Sequence, residues 1–271
     1  MRTTSPLVVV TPTLGTSPYL GECVRSVRAM DVDAMHVIVA PPAAVAALAL
    51  AYPSSHVMSE GEPTGMYGAV NAGLAAVEGW EWFTYLNDDD VLSPDFAAVA
   101  TAHMGSGDTT MIGYGNVRWI AGEGQNLGLM PVERDVRHFG PLIAGRLAPI
   151  AQQGALTGRA VFESLGGFRS RFRFAGDHDF WTRAFLADVR FRFYDAEVGR
   201  FRVHGAQISR NLVRVHAEME EIAALIPGDR AWWRLRLARV RFQLRNITRY
   251  AERFRKTGAF RTSTLYQRHW R

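Results

Sequence analysis

Cysteine is nearly absent: one residue, Cys23, in 271. A lone thiol closes no internal disulfide and rules out four-cysteine zinc sites, so a reducing compartment is the simplest setting. Any metal has to sit on Asp, Glu, His or backbone oxygen. A long hydrophobic run is missing as well. The longest, Met35 to Ala51, contains Pro41 and Pro42 and is too short to cross a bilayer comfortably. The opening MRTTSPLVVV has one arginine and a short apolar strand before Thr11 and Pro12, which is no secretory signal. No internal repeat occurs, and the only biased stretch is the alanine-rich Ala43 to Ala51. These absences lead to the expectation of a soluble cytoplasmic protein. With 48% hydrophobic and 21% charged residues, disorder is excluded as the main state.

The net charge of +5 conceals two opposite parts. Residues 230–271 hold 12 Arg and Lys256 against a single acid, Glu252, a net of +12. The other 229 residues carry 18 basic and 25 acidic groups, a net of −7. The basicity belongs to the tail. The body repels phosphate backbones, so nucleic acid is not an expected partner.

Short β-rich runs alternate with helical stretches over the first hundred residues. Strands are predicted at Leu7–Thr11, His36–Ala40, His56–Ser59 and Glu81–Leu86, with helices at Tyr19–Met30, Ala43–Ala51, Met66–Val77 and Pro94–His103. Such βαβ alternation builds an α/β fold with a mainly parallel sheet flanked by helices, and ligands bind where loops leave the carboxyl ends of the strands. Thr11, Pro12 and Thr13 follow the first strand, Glu60 the third and Asn87-Asp88-Asp89-Asp90 the fourth. From Thr110 to Arg146 the pattern loosens into short strands and Gly-rich loops. Helices are expected at about Gly158–Leu165, closed by Gly166-Gly167, and at Asp177–Ala187, with a strand at Arg190–Tyr194.

The sharpest chemical feature is the run Asp88-Asp89-Asp90 at the end of an apolar strand. Three adjacent carboxylates repel one another, and a hard divalent cation would offset the repulsion. A solvated turn, or an N-cap for the helix near Pro94, is the competing account. Asp177 and Asp179 stand at the mouth of a helix, where one acid could cap and the other favour the dipole. His204 is a lone histidine after a probable strand, and such residues are more often structural than metal-binding.

Taken together, Val9-Val10-Thr11-Pro12-Thr13, Ser59-Glu60 with Gly65-Met66-Tyr67-Gly68-Ala69-Val70-Asn71-Ala72-Gly73, Leu86-Asn87-Asp88-Asp89-Asp90-Val91-Leu92-Ser93-Pro94, Gly166-Gly167-Phe168, Gly176-Asp177-His178-Asp179-Phe180-Trp181 and Phe201-Arg202-Val203-His204-Gly205-Ala206-Gln207-Ile208-Ser209 resemble, in order and spacing, the family 2 glycosyltransferases of GT-A fold. The resemblance implies an inverting enzyme that moves a sugar from a nucleotide-diphosphate sugar to a hydroxyl on a glycan, lipid-linked or cell-envelope acceptor. It implies a divalent cofactor, Mn2+ or Mg2+, on a DXD-like motif, with Asp89, Asp90 and His204 as metal candidates. Asp177 would be the general base and Asp179 its reserve. Thr11, Pro12, Thr13, Glu60, Tyr67, Asn71, Asn87 and Asp88 would line the nucleotide pocket, and Gln152, Gln153 and Trp181 the acceptor cleft. Two departures stand out: Gly176 occupies the place of a Glu in the family's Glu-Asp pair, and Val39-Ala40-Pro41-Pro42 lacks the acid that often contacts the base. They leave room for a non-catalytic nucleotide-sugar-binding scaffold on the same fold.

The expected organisation is a GT-A domain over 1–226, divided into a nucleotide-binding half (1–105) and an acceptor half (106–226), and a basic amphipathic helical tail over 227–271. Within the tail, Trp233, Leu237, Val240, Leu244, Ile247, Ala251 and Phe254 form one stripe at alternating three- and four-residue steps. That stripe could pack on the domain, pair with a second copy, or lie on an anionic membrane surface at the inner face of the membrane. A membrane-binding adaptor using this tail is the remaining alternative function.

Overall fold

β1 (Leu7–Pro12), β2 (Ala34–Ala40), β3 (His56–Ser59) and β4 (Trp82–Tyr85) form the parallel half of the sheet, in the order β3-β2-β1-β4. The computed structural model describes residues 6–61, 63–205, 207, 211–228 and 231–269. β1 and β4 are buried throughout, as befits strands covered on both faces. Their side chains alternate between two cores. Val8 and Val10 pack with Tyr67, Val70 and Leu74 of α3 (Met66–Ala75). Leu7 and Val9 pack on the other face with Cys23 and Val27 of α1 (Leu20–Arg28) and Phe96 of α4 (Phe96–Met104). The approach of α3 to the sheet is close: a Cβ on Gly73 would stand 2.8 Å from Val10. α2 (Pro42–Ala51) runs between β2 and β3.

The second half folds back on the first. β8 (Leu156–Gly158) runs antiparallel between β4 and β6 (Met111–Ala121), and β9 (Arg190–Val203) runs parallel to β6. β5 (Val91–Leu92) pairs antiparallel with the far part of β9, Val91 opposite Arg200. That pairing carries functional weight, because β5 begins directly after the acidic run and β9 ends one residue before His204. β7 (Asn126–Leu129) forms a hairpin on β6. Around these strands lie α5 (Phe139–Ala144), α6 (Arg159–Ser164), α7 (Gly176–Leu186) and α8 (Leu212–Ala223), then α9 (Trp232–Arg245), α10 (Ile247–Thr257) and α11 (Thr262–His269).

Three sequence expectations change. The stretch read as loose, residues 110–146, contains an 11-residue strand, β6, that is almost wholly buried. Its glycines and polar residues hide the strand from periodicity, but its partners supply the order. β9 continues nine residues past Tyr194, because the charges that seemed to end it are paired: Glu197 accepts from Arg118 at 2.6 Å and Arg200 at 2.9 Å. The tail, read as one helix from 230 to 256, is two helices parted at Asn246; residue 230 itself lies outside the described residues. The Asn246 side chain is drawn into the body, accepting from the Val132 N–H at 3.1 Å and donating to the Val132 carbonyl at 3.1 Å.

Three buried histidines set a pH response. Burial lowers His36, His103 and His178 from 6.5 to about 4 each. His36 is held by Thr11 and Ser55, His103 by Tyr194, whereas neither ring nitrogen of His178 has a partner among the described residues. Folding favours the neutral rings, so the unfolded chain binds more protons between the two pKa values. Stability contributed by each group is present above 6.5 and falls as pH drops towards 4, by up to ~3 kcal/mol apiece. Urea melts at pH 7.5 and 4.5 should show the loss, and His178→Gln should shrink it.

Candidate active site

The chain leaves β4 with Leu86 still in the sheet, its N–H donating to the Val10 carbonyl at 2.9 Å, and turns at once: the Asp90 N–H returns to the Asn87 carbonyl at 3.1 Å. The turn sends the three carboxylates to different partners. Asp88 accepts from the Thr13 hydroxyl at 2.5 Å, tying the loop after β1 to the loop after β4, and burial pushes its carboxyl up to about 6. Asp90 is fully buried and accepts from the Arg202 backbone N–H at 2.9 Å and the Gln153 amide at 2.8 Å. Burial holds it well above the usual carboxylate range. Asp89, partly exposed, has its Oδ2 2.9 Å from His204 Nε2 and 3.4 Å from the Gln207 amide. Asp89 and His204 side chains are 16% and 15% exposed, so both remain reachable.

Much of the acid repulsion is offset from within. The Arg202 guanidinium, itself buried, donates to the Asp89 carbonyl at 2.8 Å and the Gly122 carbonyl at 2.6 Å, pairs with Glu22, and lies 4.5 Å above the Tyr19 ring. Tyr19 in turn packs against the His204 ring at 4.9 Å. None of the three acids caps α4, whose N-cap position is Asp95. Asn87 donates weakly to Asp90 at 3.5 Å, and its Oδ1 is a buried acceptor with no hydrogen-bond partner.

Asp177 stands in the first turn of α7 and accepts from the Tyr67 hydroxyl at 3.1 Å. Burial raises its pKa; the His178 N–H and the Tyr67 hydroxyl draw it back, and the charge of Glu218 raises it further. Glu218, on α8, gathers the backbone N–H groups of Arg173, Phe174 and Ala175 at 2.7, 2.9 and 2.8 Å, and so fixes the entry to α7. The departure at Gly176 has a local cause: a Cβ there would meet the Tyr67 ring at 2.6 Å. Tyr67 takes the space that a larger residue would need. Tyr67 also packs edge-on to Tyr85, the last residue of β4, with ring centroids 6.3 Å apart. The Tyr85 hydroxyl is raised by burial and by the charges of Tyr67, Asp177 and Asp90.

Other residues named from the sequence are engaged elsewhere. Asp179, the reserve base, is buried and points into an arginine pair, Arg183 at 2.8 Å and Arg169 at 3.3 Å; Arg183 also donates to the Leu165 and Gly167 carbonyls. Asp90, a metal-ligand candidate, spends its oxygens on Arg202 and Gln153. Gln153 and Gln152 are therefore supports, the latter donating to the Tyr85 carbonyl. Trp181, expected in the acceptor cleft, is 2% exposed and packs on Phe180 in the core. Thr11 is buried against His36 at 2.9 Å, and Pro12 closes β1 beside it. Asn71 clamps Phe168, donating to its carbonyl at 2.7 Å and accepting its N–H at 3.0 Å. Glu60 stays partly exposed and accepts from the Thr64 N–H at 3.4 Å. Arg202, Tyr19 and Glu218 were not anticipated. Arg202 had a signal, two residues before His204 in the same strand-end segment, while Tyr19 and Glu218 had none. Among the described residues, no group of three or more His, Cys, Asp or Glu side chains is gathered to hold a metal.

Residues 8–131 match the family model of Glycosyl transferase family 2. The match covers 124 residues, a little under half of the chain. The whole chain carries the GT-A fold of these enzymes: 89% of it superposes on Staphylococcus aureus TarS at 15% identity and a TM-score of 0.59. It spans only 43% of the full TarS chain. On the TarS 1–349 complex with UDP-GlcNAc the TM-score is 0.60 at 15% identity, over 89% of this chain and 72% of that one. The mannosyltransferase PcManGT from Pyrobaculum calidifontis, in complex with GDP-Man and Mn2+, superposes over 98% of this chain and 85% of its own, with 18% identity and a TM-score of 0.58. No curated protein matches the sequence.

Proposed function

We propose that this chain is a family 2 glycosyltransferase that moves a sugar, with inversion, from a nucleotide-diphosphate sugar to a hydroxyl of a glycan or lipid-linked acceptor. The observation that carries the reading is two carboxylates in unlike settings, Asp89 in the turn after β4 and Asp177 at the head of α7. Asp89 is partly exposed and paired to an imidazole, while Asp177 is raised in pKa and oriented by the hydroxyl of Tyr67, whose ring packs on Tyr85 at the end of β4. Pairs of acids pushed apart by their surroundings mark different roles in one reaction.

Asp177 is the general base. A raised pKa brings a carboxylate nearer the working pH, where it accepts the acceptor hydroxyl proton as that oxygen attacks the anomeric carbon. Attack from the face opposite the nucleotide gives inversion. Tyr67 orients Asp177, and Glu218 sets the helix that bears it. On the donor side, Thr13 and Asp88 join the two loops that would border the nucleotide.

The residues at Asp89 fit a divalent cation. A carboxylate and an imidazole stand 2.9 Å apart and partly exposed, and the neighbouring residue Asn87 has a buried Oδ1 without a partner among the described residues. Such O and N donors would suit Mn2+ or Mg2+. When bound, the ion stabilises the charge that grows on the departing diphosphate. Asp89 and His204 would hold it, while Arg202, through the Asp89 carbonyl, keeps Asp89 aimed outward.

The test is release of nucleoside diphosphate from UDP-, GDP- and dTDP-sugars with Mn2+, Mg2+ or EDTA, followed by NMR of the product anomer. Metal-dependent release with an inverted anomer is expected. Donor binding without turnover on any acceptor would favour a scaffold instead.

A further inference from the structure

The tail docks by its arginines and leaves its apolar stripe outside. On α10, Arg249 donates to the Met130 carbonyl and to Asn116, and Arg253 reaches the Ala259 carbonyl at 3.1 Å with its guanidinium 5.0 Å over the Trp119 ring. Both are buried. On α9 the inward contact is made by Phe242, 5% exposed. The other side shows Trp233, Leu237, Val240 and Leu244, between 41% and 64% exposed, and the series continues across Asn246 with Ile247 and Phe254. At 100° per residue, the α9 members of this stripe lie opposite Phe242. Leu235 and Ala238 complete the inner face, so α9 has a docked apolar side and a second, outward one.

Flanking positions are arginine. Arg236 borders the stripe on one side, Arg234 and Arg241 on the other, while Arg239 turns to the Gly145 carbonyl of the body. Arg236, Arg241 and Arg255 are exposed and make no ion pair among the described residues. Trp232 and Trp233, 72% and 51% exposed, stand at the start of α9. Among the described residues, no helix is long and apolar enough to cross a membrane.

We infer that the outer face of α9 and α10 lies on the surface of an anionic phospholipid bilayer. Apolar side chains enter the headgroup boundary while guanidinium groups meet phosphate beside them, and tryptophan favours that depth. Arginine over lysine, 12 to 1 in this tail, suits forked contact with phosphate oxygens. Charge complementarity selects this occupant over a second copy. A two-fold pairing of the stripe would set arginine-flanked surfaces against each other, whereas lipid phosphate neutralises them. The opposite charge of the body, −7, turns it away from the same surface.

The experiment is co-sedimentation of the whole chain with phosphatidylcholine vesicles and with phosphatidylcholine–phosphatidylglycerol vesicles, at low and high salt. Binding to the second only, weakened by salt, is expected. Leu237→Glu with Leu244→Glu, both at exposed positions, should abolish it with an unchanged circular dichroism spectrum. Arg236→Gln with Arg241→Gln should weaken it roughly 30-fold, at ~1 kcal/mol per basic group. Protein left in the supernatant with anionic vesicles, or glutamate variants that bind as well as the parent, would overturn the inference. So would a lipid-free dimer, seen by sedimentation velocity, that the glutamate variants convert to monomer.

Discussion

Asp177→Asn is expected to lower turnover by about 10^2- to 10^4-fold, the usual contribution of a positioned acid–base group. Asparagine has the same shape and still accepts from Tyr67, so donor affinity should stay within a few-fold and the melting temperature should hold or rise, since a carboxyl disfavoured by burial is gone. A loss of nucleotide binding equal to the loss of turnover would refute the assignment. Tyr67→Phe supplies a sharper readout. The hydroxyl stabilises ionised Asp177; removing it raises the carboxyl pKa further. The base works only when ionised, so the acid limb of the pH–rate profile should move to higher pH. A tyrosine that merely packs against Gly176 and Tyr85 would leave that limb in place.

Asp89→Ala should cost about 10^2- to 10^3-fold or more in turnover, the scale seen when a group stabilising transition-state charge is lost. It should also abolish the rise in melting temperature that Mn2+ with UDP or GDP confers on the parent, because ligands that bind only the native state stabilise it by mass action. Its neighbour should behave differently. Asp90→Ala leaves the Arg202 N–H and the Gln153 amide without their buried acceptor, a penalty of ~1–3 kcal/mol for each such group. That variant should melt lower even without metal or nucleotide. If Asp89→Ala melted lower in the same way and kept its metal response, Asp89 would be a structural acid and the ion would have to sit elsewhere.

The strand-and-helix order of the first hundred residues was legible because period-2 and helical apolar patterns are local. The same holds for α6, α7 and the acidic turn after β4. What periodicity missed was held by long-range partners. β6 and the far half of β9 are rich in glycine or charge, and only their mutual pairing, with Arg118 meeting Glu197, makes them strands. Asn246 reads as an ordinary helical residue until Val132 engages both ends of its amide.

The sequence alone determined that this is an α/β chain with acids after its strands, a resemblance to family 2 and a tail whose charge opposes the body. Only the tertiary structure decided what surrounds each acid. Asp88, Asp89 and Asp90 are identical side chains in succession, as Asp177 and Asp179 nearly are. Their settings part because Thr13, His204, Arg202, Tyr67 and Arg183 arrive from elsewhere in the chain and give each carboxylate different partners. The same holds for the tail: spacing draws the stripe, but which side of a helix meets the body depends on the acceptors waiting there. Carbonyls and amides at Met130 and Asn116 took the arginines, and the apolar side was left facing out.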